Sequence, residues 1–411
     1  MKPTTLGFIG ARLKEAREAR RLTACSLADL IGISRAAIYQ YETGINSPRP
    51  EITEKLASTL LVPVPYFRYA NEIKTGKIFY RSMSAATKAD RLRGEARYRW
   101  LRMILIYLSD YLKFPDIDFP QLNMPVNPNT ISNEQIEDIA IQTRNFFGLS
   151  NVPINNLILL LENHGAMVTY DDLYADTLDA FSDILSNPDV PPYIILGADK
   201  AISVRSRFDA AHELGHKILH KNIEPSTLNR KADHSLIEKQ AHRFAAAFLL
   251  PADAFASDFY SSNLDTLLNL KSKWKSSIAM MIKRAGDLNF ISSEQEKSLW
   301  INLSKRGWKT KEPLDDEIKI EQPQLIKRAF EMLVNEKIKT KQEILSQIPL
   351  SPIDIEKLAG LNKGYLMEVQ EETPPPVYIL KDYQKDNKST YKSTNNSQAE
   401  IMKFPPQKKN N

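Results

Sequence analysis

The chain is poor in residues that mark several classes of protein. A single cysteine, Cys25, excludes an internal disulfide framework and is typical of a reducing cytoplasm. With only 14 glycines, and no glycine-rich phosphate loop, a nucleotide site is not expected. No apolar run approaches the roughly 20 residues that a bilayer requires, and the N-terminus lacks a signal-peptide pattern. We therefore expect a cytoplasmic protein with no membrane partner.

Length and charge set the remaining bounds. A chain of 411 residues with 42% hydrophobic content accommodates two or three ordinary globular domains. The net charge of +5 is modest, but ten lysines and arginines against three acidic residues fall within residues 74–113. Such a local excess of positive charge favours a polyanionic partner.

The stretch FDAAHELGHKILH, residues 208–220, holds the residues that together suggest a reaction. His212 and His216 stand four apart, so on a helix both imidazoles share one face, and Glu213 lies beside them. This is the spacing of zinc hydrolases, in which the ion activates a water and the carboxylate accepts its proton. The alternative is a buried helix whose histidines are satisfied by packing and hydrogen bonds.

A catalytic zinc site needs a third protein ligand. Asn222 stands where a metzincin has its third histidine, which argues against that class. Glu238, in the amphipathic stretch IEKQAHRFAAAFLLP of residues 237–251, is the favoured candidate. His220 and His242 remain open as ligands, as partners of ligands or as core residues. Asp233 and His234 are expected in a loop and His164 in a turn, so we place all three outside the site.

The N-terminal region has the pattern of a compact helical unit. Helices are predicted over residues 8–21, 24–31 and 34–42, with Gly32 ending the second helix and Ser34 capping the third. Two helices joined by a short glycine-containing turn predict a helix-turn-helix, whose second helix enters the DNA major groove. A helical bundle used for protein contacts is the alternative.

The two stretches around the histidines together resemble the ImmA/IrrE family of zinc metallo-endopeptidases, over about residues 145–313. That resemblance implies Zn²⁺ held by His212, His216 and Glu238, with Glu213 as the general base. Many members carry an acidic residue where this chain has Gln240. Family members are known or thought to cleave helix-turn-helix repressors, so a repressor protein is the implied substrate.

The stretch SLADLIGISRAAIYQYETGINSPRP resembles the Cro/C1-type repressors of the XRE family. The resemblance implies that helix 34–42 reads double-stranded DNA, with an arginine suited to guanine and a glutamine suited to adenine. It also implies a homodimer on two half-sites. Ala24 departs from a class that often has glutamine there. The positions expected at base edges are Arg35, Ala36, Tyr39 and Gln40, and those expected at phosphates are Asn46 and Arg49.

These patterns predict a mainly α fold with a small β-sheet, hence α+β, in the peptidase domain and an all-α N-terminal domain. Strands are expected at residues 166–169 and 193–196. A helix within residues 77–114 is expected to pack on the peptidase domain with a solvated basic back, or to contact DNA phosphates. The predicted divisions are residues 6–70 for the helix-turn-helix, 71–128 for a basic helical connector, 129–313 for the peptidase, 314–372 for a helical extension and 373–411 for a disordered tail.

The predicted function is a DNA-binding regulator whose zinc endopeptidase domain cleaves a repressor and so releases genes. One alternative is a transcription factor whose peptidase-like domain senses metal or ligand, or binds a partner, without cutting. A further alternative is self-cleavage that separates the N-terminal unit from the rest.

Overall fold

Helices and one small sheet make up the described part of the chain. The computed structural model describes residues 4–70, 79–80, 87–172, 180–183, 191–198, 202–224, 227 and 230–367. The predicted tail, residues 373–411, lies outside these, as does part of the connector. The described residues belong to one compact unit, and the predicted fold class, mainly α with a small sheet, is confirmed. Among these residues, no helix combines the length and apolarity that a bilayer crossing requires.

Four helices and a 3-10 turn at Val64–Arg68 form the N-terminal unit. As predicted, Ser34 caps the third helix, and Gly32 ends the second with a positive φ of 74°. Gly10 permits close packing on the third helix, because a Cβ there would lie 2.1 Å from the carbonyl oxygen of Tyr41. The four helices are α1 (Gly10–Ala19), α2 (Ala24–Ile31), α3 (Arg35–Glu42) and α4 (Pro50–Leu60).

The connector contains one long helix, α5 (Lys88–Ser109), which begins with a capping box at Thr87. Its predicted apolar face is buried, but the expectation of a solvated basic back is wrong for part of the helix. Arg93 and Arg97 are 6% and 1% exposed because both form ion pairs with Asp171. These arginines are therefore not available to a polyanion.

The sheet has four strands, β1 (Phe79–Tyr80), β2 (Met167–Asp171), β3 (Ala180–Asp183) and β4 (Tyr193–Gly197), in the order β1-β3-β4-β2. Strand β2 runs parallel to β4, and the other two pairings are antiparallel. The structure confirms the two predicted strands at β2 and β4 and adds β1 and β3.

Eleven further helices follow in the described residues. They are α6 (Asn133–Phe146), α7 (Leu157–Asn163), α8 (Ser203–Leu219), α9 (Lys231–Leu249), α10 (Ala252–Asp258), α11 (Leu264–Trp274), α12 (Ile278–Asp287), α13 (Ser293–Lys305), α14 (Leu325–Asn335), α15 (Lys341–Gln347) and α16 (Pro352–Ala359). Helices α14 to α16 match the predicted helical extension in position.

The sheet separates two apolar clusters, as the period-2 alternation of strand side chains requires. Phe181 and Ile195 face a cluster that joins the N-terminal unit, α5 and the C-terminal helices. Ala180 and Ile194 face the second cluster, which includes α8 and α9. A third cluster lies within α10 to α13. The N-terminal unit and the C-terminal helices thus share a core on one side of the sheet, and α8 and α9 lie on the other.

Candidate metal centre and nucleic-acid interface

Helices α8 and α9 pack closely and bring the candidate ligands together. Gly215 lies at their contact, where an added Cβ would come within 3.0 Å of the Phe244 ring and 3.3 Å of the Ala241 carbonyl oxygen. The i, i+4 spacing on α8 then directs His212 and His216 toward α9. Both histidines are fully buried.

His212, His216 and Glu238 converge on one point. The two Nε2 atoms lie 2.9 Å apart. Glu238 Oε2 lies 3.3 Å from Nε2 of His212, and Glu238 Oε1 lies 3.4 Å from Nε2 of His216. Ligands about 2.0 to 2.1 Å from a tetrahedral zinc ion are about 3.3 to 3.4 Å from one another, which matches the two Glu238 distances, whereas the two Nε2 atoms lie closer together than that. Two imidazoles and a carboxylate are a donor set suited to zinc.

Glu213 lies on the same helix and is fully buried. The hydroxyl of Ser182, on β3, donates a hydrogen bond to Glu213 Oε2. Ser182 is itself 1% exposed, so the sheet holds one oxygen of this carboxylate in place. The sequence patterns did not indicate Ser182, because β3 is short and was not predicted.

His220 contacts His216 through the ring nitrogen of His216 that does not face Glu238. Its Nδ1 lies 3.0 Å from Nδ1 of His216, and its Nε2 lies 3.1 Å from Oε1 of Gln240. Gln240 Nε2 donates to the backbone oxygens of Pro128 and Ile131, at 2.8 and 3.3 Å. Complete burial, and then the neighbouring His216, lower the pKa of His220 well below its usual range.

His242 and His234 are more exposed to solvent than the buried His212 and His216. His242 is exposed, and its Nδ1 donates to the Glu238 carbonyl oxygen at 2.6 Å. Ligand atoms of His212, Glu238 and His242 all lie within 4.8 Å of one another. The placement of Asp233 and His234 in a loop is wrong: both lie in the first turn of α9, and His234 Nε2 is 4.0 Å from Glu238 Oε1.

His164 lies apart from this group, as the sequence predicted. Its Nδ1 contacts Asp118 Oδ2 at 3.1 Å, and its ring packs on Phe147 with centroids 4.5 Å apart. Asn222 donates to the Met124 carbonyl oxygen at 2.6 Å, so its side chain supports a loop.

A groove of about 890 Å³ opens beside the metal-site residues. Glu238, His242 and Phe208 are among the residues that line it. Met280 of α12 and Trp308 contribute apolar surface to its lining. A mostly apolar cleft of this size, with Glu238 and His242 in its lining, is suited to hold a ligand or an extended peptide.

The third helix of the N-terminal unit presents its predicted residues to solvent. Arg35 and Ala36 are exposed at its N-terminal end, and Tyr39 is 61% exposed one turn later. Gln40 is half-buried, and its Oε1 accepts a hydrogen bond from Asn46 Nδ2 at 2.9 Å. The side chain of Asn46 therefore supports Gln40, a contact that the sequence did not indicate.

Arg49 is exposed at the start of α4. Its position beside the exposed loop before α4 leaves the guanidinium accessible to a phosphate backbone. The structure thus brings the six predicted DNA-contacting residues to one segment, within residues 35–49.

Comparisons with known proteins agree with both units. Residues 9–65 match the family model of a helix-turn-helix domain, and residues 161–285 match that of the IrrE N-terminal-like domain. The chain carries both domains. The first range contains every predicted DNA-contacting residue, and the second contains His212, Glu213, His216 and Glu238. The division of the remaining chain into connector, extension and tail stays a prediction.

A stretch of 55 residues is 42% identical to a protein of Methanocaldococcus jannaschii that is named as an HTH-type transcriptional regulatory protein. The stretch covers 13% of this chain and 17% of that relative. The likeness therefore concerns a small part of either protein.

A partly buried ion pair connects the helix-turn-helix domain to the rest of the unit. Arg20 of α1 binds both oxygens of Asp354 on α16, at 2.9 and 2.6 Å. Arg97 of α5 donates to the same carboxylate and to Asp171 at the end of β2. One charged network thus connects α1 to the sheet beside the candidate metal site.

Proposed function

We propose that this protein is a DNA-binding transcription regulator whose IrrE-like domain is a zinc-dependent endopeptidase that cleaves a repressor protein. The observation that carries the proposal is the convergence of His212, His216 and Glu238 within 3.4 Å of one another. Glu213 lies on the same helix as the two histidines. The groove beside these residues supplies room for a peptide.

In this proposal each residue has a defined task. His212, His216 and Glu238 would hold the ion, which when bound polarises a water and lowers its pKa to about 7. Glu213 would accept the proton of that water, and Ser182 would keep its carboxylate oriented. The apolar wall formed by Phe208 and Met280 would hold substrate side chains and exclude water.

The helix-turn-helix domain would direct this activity to DNA. Arg35 would bind guanine and Gln40 adenine in the major groove, with Ala36 and Tyr39 beside them. Asn46 and Arg49 would contact phosphates, which position the protein without reading sequence. Two copies would bind two half-sites as a homodimer.

A second candidate is a transcription factor whose IrrE-like domain senses zinc or a ligand and cuts nothing. The ion-pair network from Arg20 through Asp354 and Arg97 to Asp171 favours it, since it connects the two domains rigidly. A ligand in the groove would then alter DNA binding through packed contacts.

The substitution Glu213→Gln separates the two candidates, because it removes the base and leaves all three proposed ligands. In the native host, a repressor-sized protein should disappear with the wild type and persist with Glu213→Gln. Glu134→Gln, an exposed carboxylate on α6, is the matched control and should behave as wild type. If no protein disappears under several stresses, and gene regulation is unchanged by Glu213→Gln, the sensor candidate replaces the peptidase.

A further inference from the structure

A continuous line of hydrogen bonds runs from a backbone carbonyl to a candidate metal ligand. It starts at the Pro128 carbonyl oxygen, passes through Gln240 and His220, and ends at His216, with contacts of 2.8, 3.1 and 3.0 Å. Both histidines are fully buried, and Gln240 is 3% exposed. These side chains therefore make their hydrogen bonds mainly within the protein.

The donor and acceptor capacities of these groups determine which atom donates in each hydrogen bond. The oxygens of Pro128 and Ile131 can only accept, so the amide nitrogen of Gln240 must face them and its Oε1 must face His220. Because Oε1 can only accept as well, His220 carries a hydrogen on Nε2. The orientation of Gln240 thus fixes which His220 nitrogen is the donor.

The last step concerns the two Nδ1 atoms, of which one must donate and the other accept. A neutral imidazole carries one hydrogen, and on His220 that hydrogen is on Nε2, facing Oε1 of Gln240, which leaves a lone pair on Nδ1. His220 Nδ1 therefore accepts, and His216 Nδ1 donates. The hydrogen of His216 then lies on Nδ1, and the lone pair of its Nε2 faces Glu238 and His212.

We propose that Gln240 and His220 are positioning residues that set the tautomer and ring orientation of His216 so that its Nε2 can bind the metal. The proposal rests on the proposed metal centre. It predicts a role for two residues that do not touch the ion, in the way that hydrogen-bond partners of ligating histidines strengthen other metal sites. Here the partner of His216 is a second histidine, His220. The tautomer of His220 is set by Gln240, which is itself oriented by two backbone oxygens.

Zinc affinity of the full chain, measured by competition with a chelator, tests this. Gln240→Met keeps the length of the side chain and removes the acceptor, and His220→Phe keeps a ring without nitrogen. Each should weaken zinc binding by about 10- to 100-fold, the usual effect of losing such a partner. His164→Phe, a histidine outside the line, is the matched control and should leave the affinity unchanged. Unchanged affinity in folded Gln240→Met would overturn the proposal.

A double-mutant cycle distinguishes this role from packing. If both residues act through His216, the variant with both substitutions should bind zinc no more weakly than the weaker single variant. If instead the two losses of zinc affinity multiply, each residue acts through its own packing, and the positioning role is contradicted.

The tautomer can be observed directly, even without metal. In the full chain labelled with ¹⁵N-histidine, six histidines give resolvable ring signals. His216 should be protonated at Nδ1 and His220 at Nε2, and Gln240→Met should remove this preference in His216. Protonation of wild-type His216 at Nε2 would refute the proposal. If the wild type binds no zinc but shows the expected tautomers, the proposed metal centre is contradicted, whereas the effect of Gln240 and His220 on the tautomer of His216 is supported.

Discussion

Arg97 and Asp171 form a buried ion pair with two parallel hydrogen bonds, Nε to Oδ2 at 2.8 Å and Nη2 to Oδ1 at 3.2 Å. Their side chains are 2% and 0% exposed. The same guanidinium also donates to Asp354, so Arg97 bridges two buried carboxylates, which Arg93 and Arg20 contact as well. Because α5, β2 and α16 each contribute one of the three residues, these contacts hold the three elements together.

Replacing Arg97 should therefore destabilise the whole unit. Arg97→Ala leaves Asp171 and Asp354 short of a cation inside the protein, which costs about 3 to 5 kcal/mol for a buried pair. Urea unfolding monitored by circular dichroism measures the change. Arg35→Ala removes an exposed arginine and should stay within about 0.5 kcal/mol of wild type. A loss below about 1 kcal/mol for Arg97→Ala would mean that the pair contributes as little as a surface ion pair.

Asp354 should make stability depend on acid. Burial by itself raises the pKa of Asp354, but the hydrogen bond from Arg20 and the charges of Arg97 and Arg20 outweigh it and lower the pKa from 3.8 to about 2. A lowered folded-state pKa gives stability that is present above pH 3.8 and is lost as the pH falls toward 2. The contribution is about 2 kcal/mol, as follows from a shift of nearly two units.

The measurement is the unfolding free energy of wild type and Asp354→Asn between pH 5 and pH 2. Asp354→Asn should be less stable at pH 5 and should lose about 2 kcal/mol less than wild type on acidification. Asp116→Asn, at an exposed carboxylate, should follow the wild-type curve. Parallel curves for wild type and Asp354→Asn would contradict the assignment.

Local patterns in the sequence predicted the parts of the site that one helix determines. His212 and His216 share a face because their spacing matches the helical period, and Ser34 caps α3 because its hydroxyl reaches the Ala37 amide. The apolar stripe of α9 placed Glu238 on a helix that could pack against α8. In each case the information lies within a few residues, where periodicity and capping rules apply.

Contacts between distant segments could not be predicted in this way. Asp171 and Asp354 lie 74 and 257 residues from Arg97, and no local pattern pairs them. A basic helix in isolation indicated a solvated or DNA-binding face, yet Arg97 is buried by the tertiary fold. Ser182 was missed for the same reason, since a four-residue strand carries little periodicity of its own.

The third metal ligand can be decided by comparing Glu238→Ala with His242→Ala. Glu238 should be the ligand, because its oxygens lie within 3.4 Å of both histidines, whereas His242 is exposed and its Nδ1 already donates to a carbonyl. Glu238→Ala should weaken zinc binding about 100-fold or more, since about 10 to 16 kcal/mol of binding free energy is shared among few ligands. His242→Ala should weaken zinc binding less than about 10-fold, because a residue that lies beside the site does not bind the ion itself.

Chelator competition gives both affinities, and cobalt(II) substitution reports the ligand set through the intensity of its visible absorption. His242→Ala should leave the cobalt spectrum nearly unchanged. If both substitutions weaken zinc binding equally, His242 belongs to the ligand set together with His212 and Glu238. The donor atoms of these three residues lie within 4.8 Å of one another. A site closed by four protein ligands would then favour the sensor candidate, because catalytic zinc keeps one position open.

Arg35 and Arg49 should differ in what they contribute to DNA binding. Arg35, at the exposed N-terminal end of α3, is proposed to contact base edges, so Arg35→Ala should weaken a specific site by about 1 to 3 kcal/mol and barely affect random DNA. Arg49→Ala should weaken both by a similar factor and reduce the salt dependence, because a phosphate contact carries no sequence information. Titration of specific and random duplexes at two salt concentrations separates the two roles. Equal losses on all sequences with Arg35→Ala would exclude its contact with a base.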